Sequence, residues 1–421
     1  MSTVEYFANQ SSVNLAKFKV KEVHPSSVTA KEISTSATAL VPDNVWATGA
    51  PILWNLGFTG VGCKIGVLDT GIDSHPDLLN KIILRRDYVQ DGLPSSSFNM
   101  HATHCSGTIA ANGRIKGVAP GASLIDYRVL DRNGSGSYTS ITSAIKQSIV
   151  DGCNIISLSL GGPIEYLPLH SAIKEATAAG ILVVVASGNE GPNKISFPAY
   201  YSEVVSVGAV NFDATTGNIT LPQTPWFSNS NDQVDVAADG WKVLSTVPGG
   251  KYAILTGTSM ATPCVAGFAA LLWERFSAKM KRKPTEPELY SLLKSSTVDI
   301  LQVGNDIVAG AGFVTVFPEL PKKVNSTWTL PNMNLTPPYT GTSVAATVVN
   351  TASVESTVNA TTESTEASNI VEILATVSLE VSATENVDNV NVDNEATKET
   401  ETNESQAVTE NQDDGVCLLQ K

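Results

Sequence analysis

LTGTSMATPCVAGFAALLWERF, residues 255–276, passes from a run of small, hydroxyl-bearing residues into an apolar segment with helical spacing. The second half is built to enter a core. The first half is unusual for such a helix, because Thr256, Thr258, Ser259, Thr262 and Cys264 crowd its start. Gly-Thr-Ser before an apolar helix is, taken alone, an N-cap signature. Thr258, Ser259 and Cys264 are also the candidates for a group that acts, and their setting has to decide between these readings.

Upstream, short apolar runs recur: CKIGVLD (63–69), SLIDYRVL (123–130), NIISLSL (154–160), ILVVVAS (181–187) and VVSVGAV (204–210). Between them ITSAIKQSIV (141–150) and LHSAIKEATAAG (169–180) carry apolar residues three and four apart. Buried strands alternating with amphipathic helices predict an α/β fold, a three-layer αβα arrangement around a mostly parallel sheet. In such a sheet the working groups gather beyond the carboxyl ends of the strands.

The charge is unevenly placed. Residues 338–421 hold 15 acidic residues and two lysines, so the preceding 337 residues carry only −1 of the net −14. A nearly neutral body without a basic stripe argues against nucleic acid as a partner. Five scattered cysteines form no disulfide framework and suit a reducing compartment. MSTVEYFANQSSVN lacks a basic start and an apolar run, and the longest apolar runs are strand-sized, so a cytoplasmic protein without membrane spans is expected. Cys417 in GVCLLQK stands one place off the position prenylation requires. The composition marks an extension (1–40) and an acidic, low-complexity tail (338–421) expected to be disordered. Within the tail, NIVEILATVSLEV (369–381) is the part with apolar spacing suited to docking.

Three places offer the chemistry of nucleophilic catalysis. Asp69 ends an apolar strand in VLDTGIDSHPDL (67–78), His101 and His104 open a small-residue helix in NMHATHCSGTIAA (99–111), and Ser259 opens the helix quoted first. A serine hydroxyl needs an imidazole to take its proton, and the imidazole needs a carboxylate to fix its tautomer. Each also has a plainer reading: Asp-Thr-Gly as a turn, a first-turn His as a cap, Ser259 as an N-cap. A zinc site at His101 and His104 is disfavoured, since zincin histidines lie four apart with a Glu between them.

LDTGIDSHPDL (68–78), HATHCSGT (101–108), SLSLGG (157–162), ASGNEGP (186–192) and GTSMATPCVAG (257–267), in that order, make the chain resemble the subtilisin-like serine peptidases from about Val41 to Leu320. These family motifs imply a domain over 41–320 followed by a linker (321–337). The resemblance implies Asp69, His101 and Ser259 as a triad, with Asn189 and the backbone N–H of Ser259 holding the oxyanion. It implies His104 and Cys264 as packing groups. It also implies peptide binding along Asn133, Gly134, Ser135 and Gly136 on one side and Ser159, Leu160 and Gly161 on the other. Ala186, Ser187 and Gly188 would line the side-chain pocket, whose small uncharged walls suggest an apolar preference.

The family chemistry implies a serine endopeptidase acting on polypeptides with no cofactor; the alternative is an inactive subtilase fold used as a binding scaffold. Ala102, Cys105 and Ser106 depart from the family pattern, and the loop ANGRIKGVAP (111–120) is shorter than in relatives that clasp calcium there, although Asp77 matches one ligand position. A weaker calcium site is implied at the carbonyls of Ala199, Tyr201 and Val204 with Asp235. VPDNVWATGAPILWNLGFTG (41–60) and the segment 289–320 resemble bacterial intracellular subtilisins, whose short N-terminal extension blocks the cleft; VHPS (23–26) is the segment that could serve here. The tail is then expected to be an appendage whose removal leaves turnover on a short peptide within a few-fold.

Overall fold

The structure, a computed structural model, describes residues 39–93, 99–222, 227–324, 327–329, 347–348 and 416–419. These belong to one unit comprising residues 1–354 and 415–421; the second unit, 355–414, lies outside the described residues, as do VHPS (23–26) and the segment 369–381.

Fourteen strands precede the C-terminal region: β1 (Lys64–Asp69), β2 (Ile82–Asp87), β3 (Ser123–Arg128), β4 (Ser135–Ser137), β5 (Ile155–Leu158), β6 (Leu160–Gly161), β7 (Leu182–Ala186), β8 (Val205–Asp213), β9 (Asn218–Thr220), β10 (Val236–Asp239), β11 (Val243–Val247), β12 (Lys251–Leu255), β13 (Thr297–Val298) and β14 (Phe313–Val314). Ten of them form the main sheet in the order β13-β14-β10-β8-β7-β5-β1-β3-β2, with β9 beside β8. Every pair in it is parallel except β13–β14 and β8–β9. The apolar runs read from the sequence are its centre. They are buried on both faces, so alternate residues pack on opposite layers. Ile156, Leu158, Val183 and Val185 join Ile141, Ile145 and Ile173 from the helices Tyr138–Val150 and Leu167–Ala178 in one cluster. Against the other face lie the helices His101–Ala110 and Thr258–Met280. All of Thr258 through Trp273 is buried, so the first part of this 23-residue helix is enclosed on every side as it threads the core. Further along it, Glu274 accepts the amides of Thr59, Gly60 and Val61 at 2.7, 2.6 and 3.1 Å, pinning the loop before β1.

Beyond residue 320, the segment read as a linker contributes the strands Lys322–Val324 and Thr327–Thr329, and Trp328 within the second is fully buried, stacked on Trp46 at 5.2 Å and on Phe212 at 6.3 Å. A single large ring offsets the polar residues around it by the apolar area it removes from water. The tail, in turn, supplies two short strands, Thr347–Val348 beside Thr327–Thr329 and Val416–Leu419 between β4 and β6.

Candidate active site

Asp69 closes β1, which has β3 on one side and β5 on the other, so it stands where the strand order reverses direction. A crevice opens at such a point beyond the strand ends. The Asp69 carboxylate is 1% exposed; Oδ1 accepts the Thr70 amide at 2.6 Å and Oδ2 lies 2.8 Å from Nδ1 of His101. His101 begins its helix with its backbone amide donating to Asn99 Oδ1 at 2.9 Å. Its ring is buried, and Nε2 has no partner among the described residues. Burial opposes its positive charge, but the Asp69 carboxylate, with Cys105 beside it, outweighs this and holds the imidazole pKa well above its ordinary value. A carboxylate on Nδ1 leaves Nε2 as the basic atom that can take a proton.

His104 is different. Its Nε2 donates to the carbonyls of Val243 and Ala253 at 3.1 and 3.2 Å, and burial lowers its pKa to about 3, so the ring is a neutral packing group directed away from His101. The two histidines therefore form no shared metal site. Asp69, His101 and Cys105 do bring a carboxylate, an imidazole and a thiol within 4.8 Å of one another, a set able to grip a thiophilic ion in competition with any use of the imidazole.

Ser259 is the second residue of the core helix, where the first amides have no intrahelical partner and the dipole favours negative charge. Gly257 is the N-cap and offers no side chain, so the capping reading of the hydroxyls does not hold. Pro263 has no N–H to donate to the carbonyl of Ser259 four residues earlier. That carbonyl instead accepts Ser159 Oγ at 3.0 Å and Cys105 Sγ at 3.4 Å. The Cys105 thiol also lies 3.9 Å from His101 Nδ1, so one side chain touches both the base and the serine's backbone. Ser259 Oγ rests on the carbonyl of Ser159 at 3.3 Å. Cys264 is fully buried with its thiol toward Asn44 O at 3.9 Å, and burial pushes its pKa well above the usual thiol range. It packs and does not react.

Asn189 follows β7. Its Oδ1 accepts both the amide and the hydroxyl of Thr258, at 3.0 and 2.9 Å, while Nδ2 is buried without a partner among the described residues. An orphaned buried donor costs on the order of 1–3 kcal/mol, so a site that keeps one has a use for it. Asn229, which sequence reading did not single out, holds this turn: it accepts the amides of Glu190 and Gly191 at 2.8 and 3.0 Å and donates to Ser187 O at 3.0 Å. Gly188 has φ +116°, and a Cβ there would lie 2.1 Å from Asn229 Nδ2, so no other residue fits. Ala186 ends β7, and Ala186, Ser187 and Gly188 are all buried.

Of the residues expected to line the peptide, Ser135, Gly136, Leu160 and Gly161 lie in short strands, while Asn133, Gly134 and Ser159 lie outside them. Ser135–Ser137 forms β4 and Leu160–Gly161 forms β6. Asp131 Oδ1 fixes the approach to β4 by accepting the amides of Asn133 and Ser135 at 2.8 and 2.9 Å, with Gly134 at φ +77°. Ser159 stands between β5 and β6 and carries the two contacts to Ser259 already described.

The calcium expectation does not fit. Asp235 Oδ2 accepts the Ser206 amide at 2.9 Å, while Oδ1 takes Tyr290 OH and lies 3.4 Å from Lys294 Nζ. An ammonium already neutralises the carboxylate, and the Tyr201 carbonyl faces the Val204 amide at 3.4 Å. At Asp77 the carboxylate accepts the amides of Arg114 and Ile115, both at 2.9 Å, and Tyr252 OH at 3.0 Å. A Cβ on Gly113 would lie 2.2 Å from Asp77 Oδ1, so a glycine lets the short loop close directly on the carboxylate.

This sheet carries an acid, an imidazole, a hydroxyl and an amide donor beyond its carboxyl ends, the kinds of group that a hydrolase of the serine type uses. The Subtilase family profile matches residues 60–395, and the chain belongs to that family, whose members are serine endopeptidases. It is 46% identical over 274 residues to an intracellular serine protease of Paenibacillus polymyxa, covering 62% of this chain and 81% of that protein. To the major intracellular serine protease of Bacillus subtilis it is 41% identical over 288 residues, covering 65% of this chain and 87% of that protein. To subtilisin E of Bacillus subtilis it is 35% identical over 329 residues, covering 74% of this chain and 80% of that protein.

Proposed function

We propose that the chain cleaves polypeptides by acyl transfer to Ser259, with His101 as base and acid, Asp69 as its orienting carboxylate, and Asn189 as an oxyanion donor. The observation that carries this reading is the buried Asp69–His101 pair at 2.8 Å with Nε2 left unpartnered, its ring tied through Cys105 to the backbone of Ser259.

Ser259 Oγ turns from the Ser159 carbonyl toward His101 Nε2 and attacks the scissile carbonyl carbon as Nε2 takes the hydroxyl proton. The carbonyl oxygen becomes an oxyanion, met by Asn189 Nδ2 and the Ser259 amide at the positive end of the helix. The imidazolium gives its proton to the leaving amine, and the acyl-enzyme forms. Water, deprotonated by the same imidazole, releases the acid and restores Ser259. The peptide lies as an added strand between β4 and β6, and the small walls at Ala186, Ser187 and Gly188 favour an apolar side chain before the scissile bond. No cofactor enters these steps. Two relatives are named as intracellular proteases, and no described helix is long and apolar enough to cross a membrane; we place the activity inside the cell. Turnover of unfolded protein by the wild type, absent in Ser259→Ala at unchanged thermal stability, tests the assignment, and equal turnover by the variant contradicts it.

A further inference from the structure

The groove between the two peptide-binding edges is not open. Val416–Leu419 lies in it as the middle strand of a three-stranded sheet, with β4 on one side and β6 on the other. It is antiparallel to both. Val416, Cys417 and Leu418 pair with Ser137, Gly136 and Ser135, while Leu418 and Leu419 pair with Gly161 and Leu160. These are the two edges assigned above to substrate backbone.

We propose that the carboxyl-terminal segment of this chain is a built-in, product-like occupant of its own cleft, which substrate must displace; the proposal rests on the reading of β4 and β6 as the substrate edges. Three observations carry it. The first is the two-sided pairing, the fullest backbone engagement an extended peptide can make with this groove. Each edge is short and would otherwise present unpaired amides and carbonyls. The second is direction. The pairs with Gly161 and Leu160 step toward Ser159 as the strand runs toward its carboxyl end, and the Ser159 carbonyl holds the Ser259 hydroxyl at 3.3 Å. The segment therefore lies along the acyl side of the cleft, in the sense a cleaved product would keep. The third is covalent attachment. Sixty-seven residues separate Val348 from Val416, so the strand competes as an intramolecular ligand, at an effective concentration set by its tether rather than by supply. The expectation that the tail is a dispensable appendage is thereby replaced by a regulatory role for its last residues.

The test uses the full chain and its Leu418→Pro variant, because Leu418 pairs with both edges and proline removes its amide. A fluorogenic tetrapeptide is the substrate, and the synthetic peptide NQDDGVCLLQK, residues 411–421, is the added competitor. The expected result is a kcat/KM at least about fivefold higher in the variant, with competitive inhibition of the variant by the uncleaved peptide. Equal kcat/KM with no inhibition at millimolar peptide overturns the proposal, and so does steady hydrolysis of the peptide as an ordinary substrate. Fluorophosphonate labelling separates this from the parent reading. Labelling of Ser259 in both forms at one rate sinks the occupant alone; labelling in neither sinks the peptidase assignment. In that second case, amide exchange at Gly136 and Gly161 still decides on the strand, which predicts slower exchange in the wild type than in the variant.

Discussion

The side-chain oxygen of Asn189 is held by both the amide and the hydroxyl of Thr258, at 3.0 and 2.9 Å, while its Nδ2 is buried without a partner among the described residues. The helix start thus orients the amide group of a strand-end turn far away in sequence. On the proposed reading the donor is set before any oxyanion forms, so no reorganisation is needed when charge develops.

Asn189→Ala is expected to lower kcat by roughly 10²–10³ with little change in KM, a figure that comes from subtilisin, a member of the same family, rather than from this geometry. Thr258→Val removes one of the two restraints on Oδ1 and should lower kcat less, leaving KM alone. Steady-state kinetics on one peptide checks both, and a change confined to KM contradicts the role.

On the proposed reading His101 must be neutral at Nε2 to act as base. Asp69 raises its pKa against the opposing effect of burial, so turnover should climb with pH along a limb lying above the ordinary imidazole value of about 6.5. Asp69→Asn should move that limb to lower pH and reduce kcat by about 10⁴. The same pair affects stability. A histidine whose folded pKa is raised contributes stability that is fully present below its unfolded value and is lost as pH rises through the folded value. A kcat profile whose limb does not move in Asp69→Asn contradicts the coupling.

Asp239 is buried, with only the amides of Trp241 and Phe212 at 3.1 and 3.4 Å as partners of Oδ1, and burial raises its pKa to about 7. Between roughly pH 4 and 7 the folded chain therefore keeps a proton the unfolded chain has released, and stability attributable to this group falls as pH rises through that window. Asp239→Asn should raise the melting temperature more at pH 8 than at pH 5. A constant difference across that range contradicts the assignment.

Chelation should change the melting temperature by only a few degrees, because Lys294 and backbone amides already satisfy Asp235 and Asp77. A large fall in chelator, reversed by stoichiometric calcium, contradicts this.

Cys264→Ala should stay active, with a stability loss of about 1 kcal/mol, since the thiol is buried away from the reacting groups.

The parallel sheet was legible because its strands are continuous apolar runs, a pattern that buried parallel strands impose. Asp69, His101, Asn189 and Ser259 were singled out because the stretches that carry them, taken in order, resemble those of the subtilisin-like peptidases, and the structure places Asp69 and His101 2.8 Å apart. What escaped depends on partners distant in sequence. Nothing near Pro263 announces that Ser159 and Cys105 fill the gap it leaves at the Ser259 carbonyl. Lys294 stands 59 residues from Asp235, so this pair leaves no local pattern. Trp328 was lost among polar neighbours, and Val416–Leu419 is a four-residue run whose pairing is decided by the groove that receives it.

The central claim is that Ser259 is the nucleophile, and the most direct measurement is the site of covalent modification by a fluorophosphonate, read by mass spectrometry of the digested protein. The account predicts one phosphonyl group on the peptide carrying Ser259, none in Ser259→Ala, and much slower labelling in His101→Ala. Folded protein that takes no label, or takes it on another residue while Ser259 stays unmodified, contradicts the account.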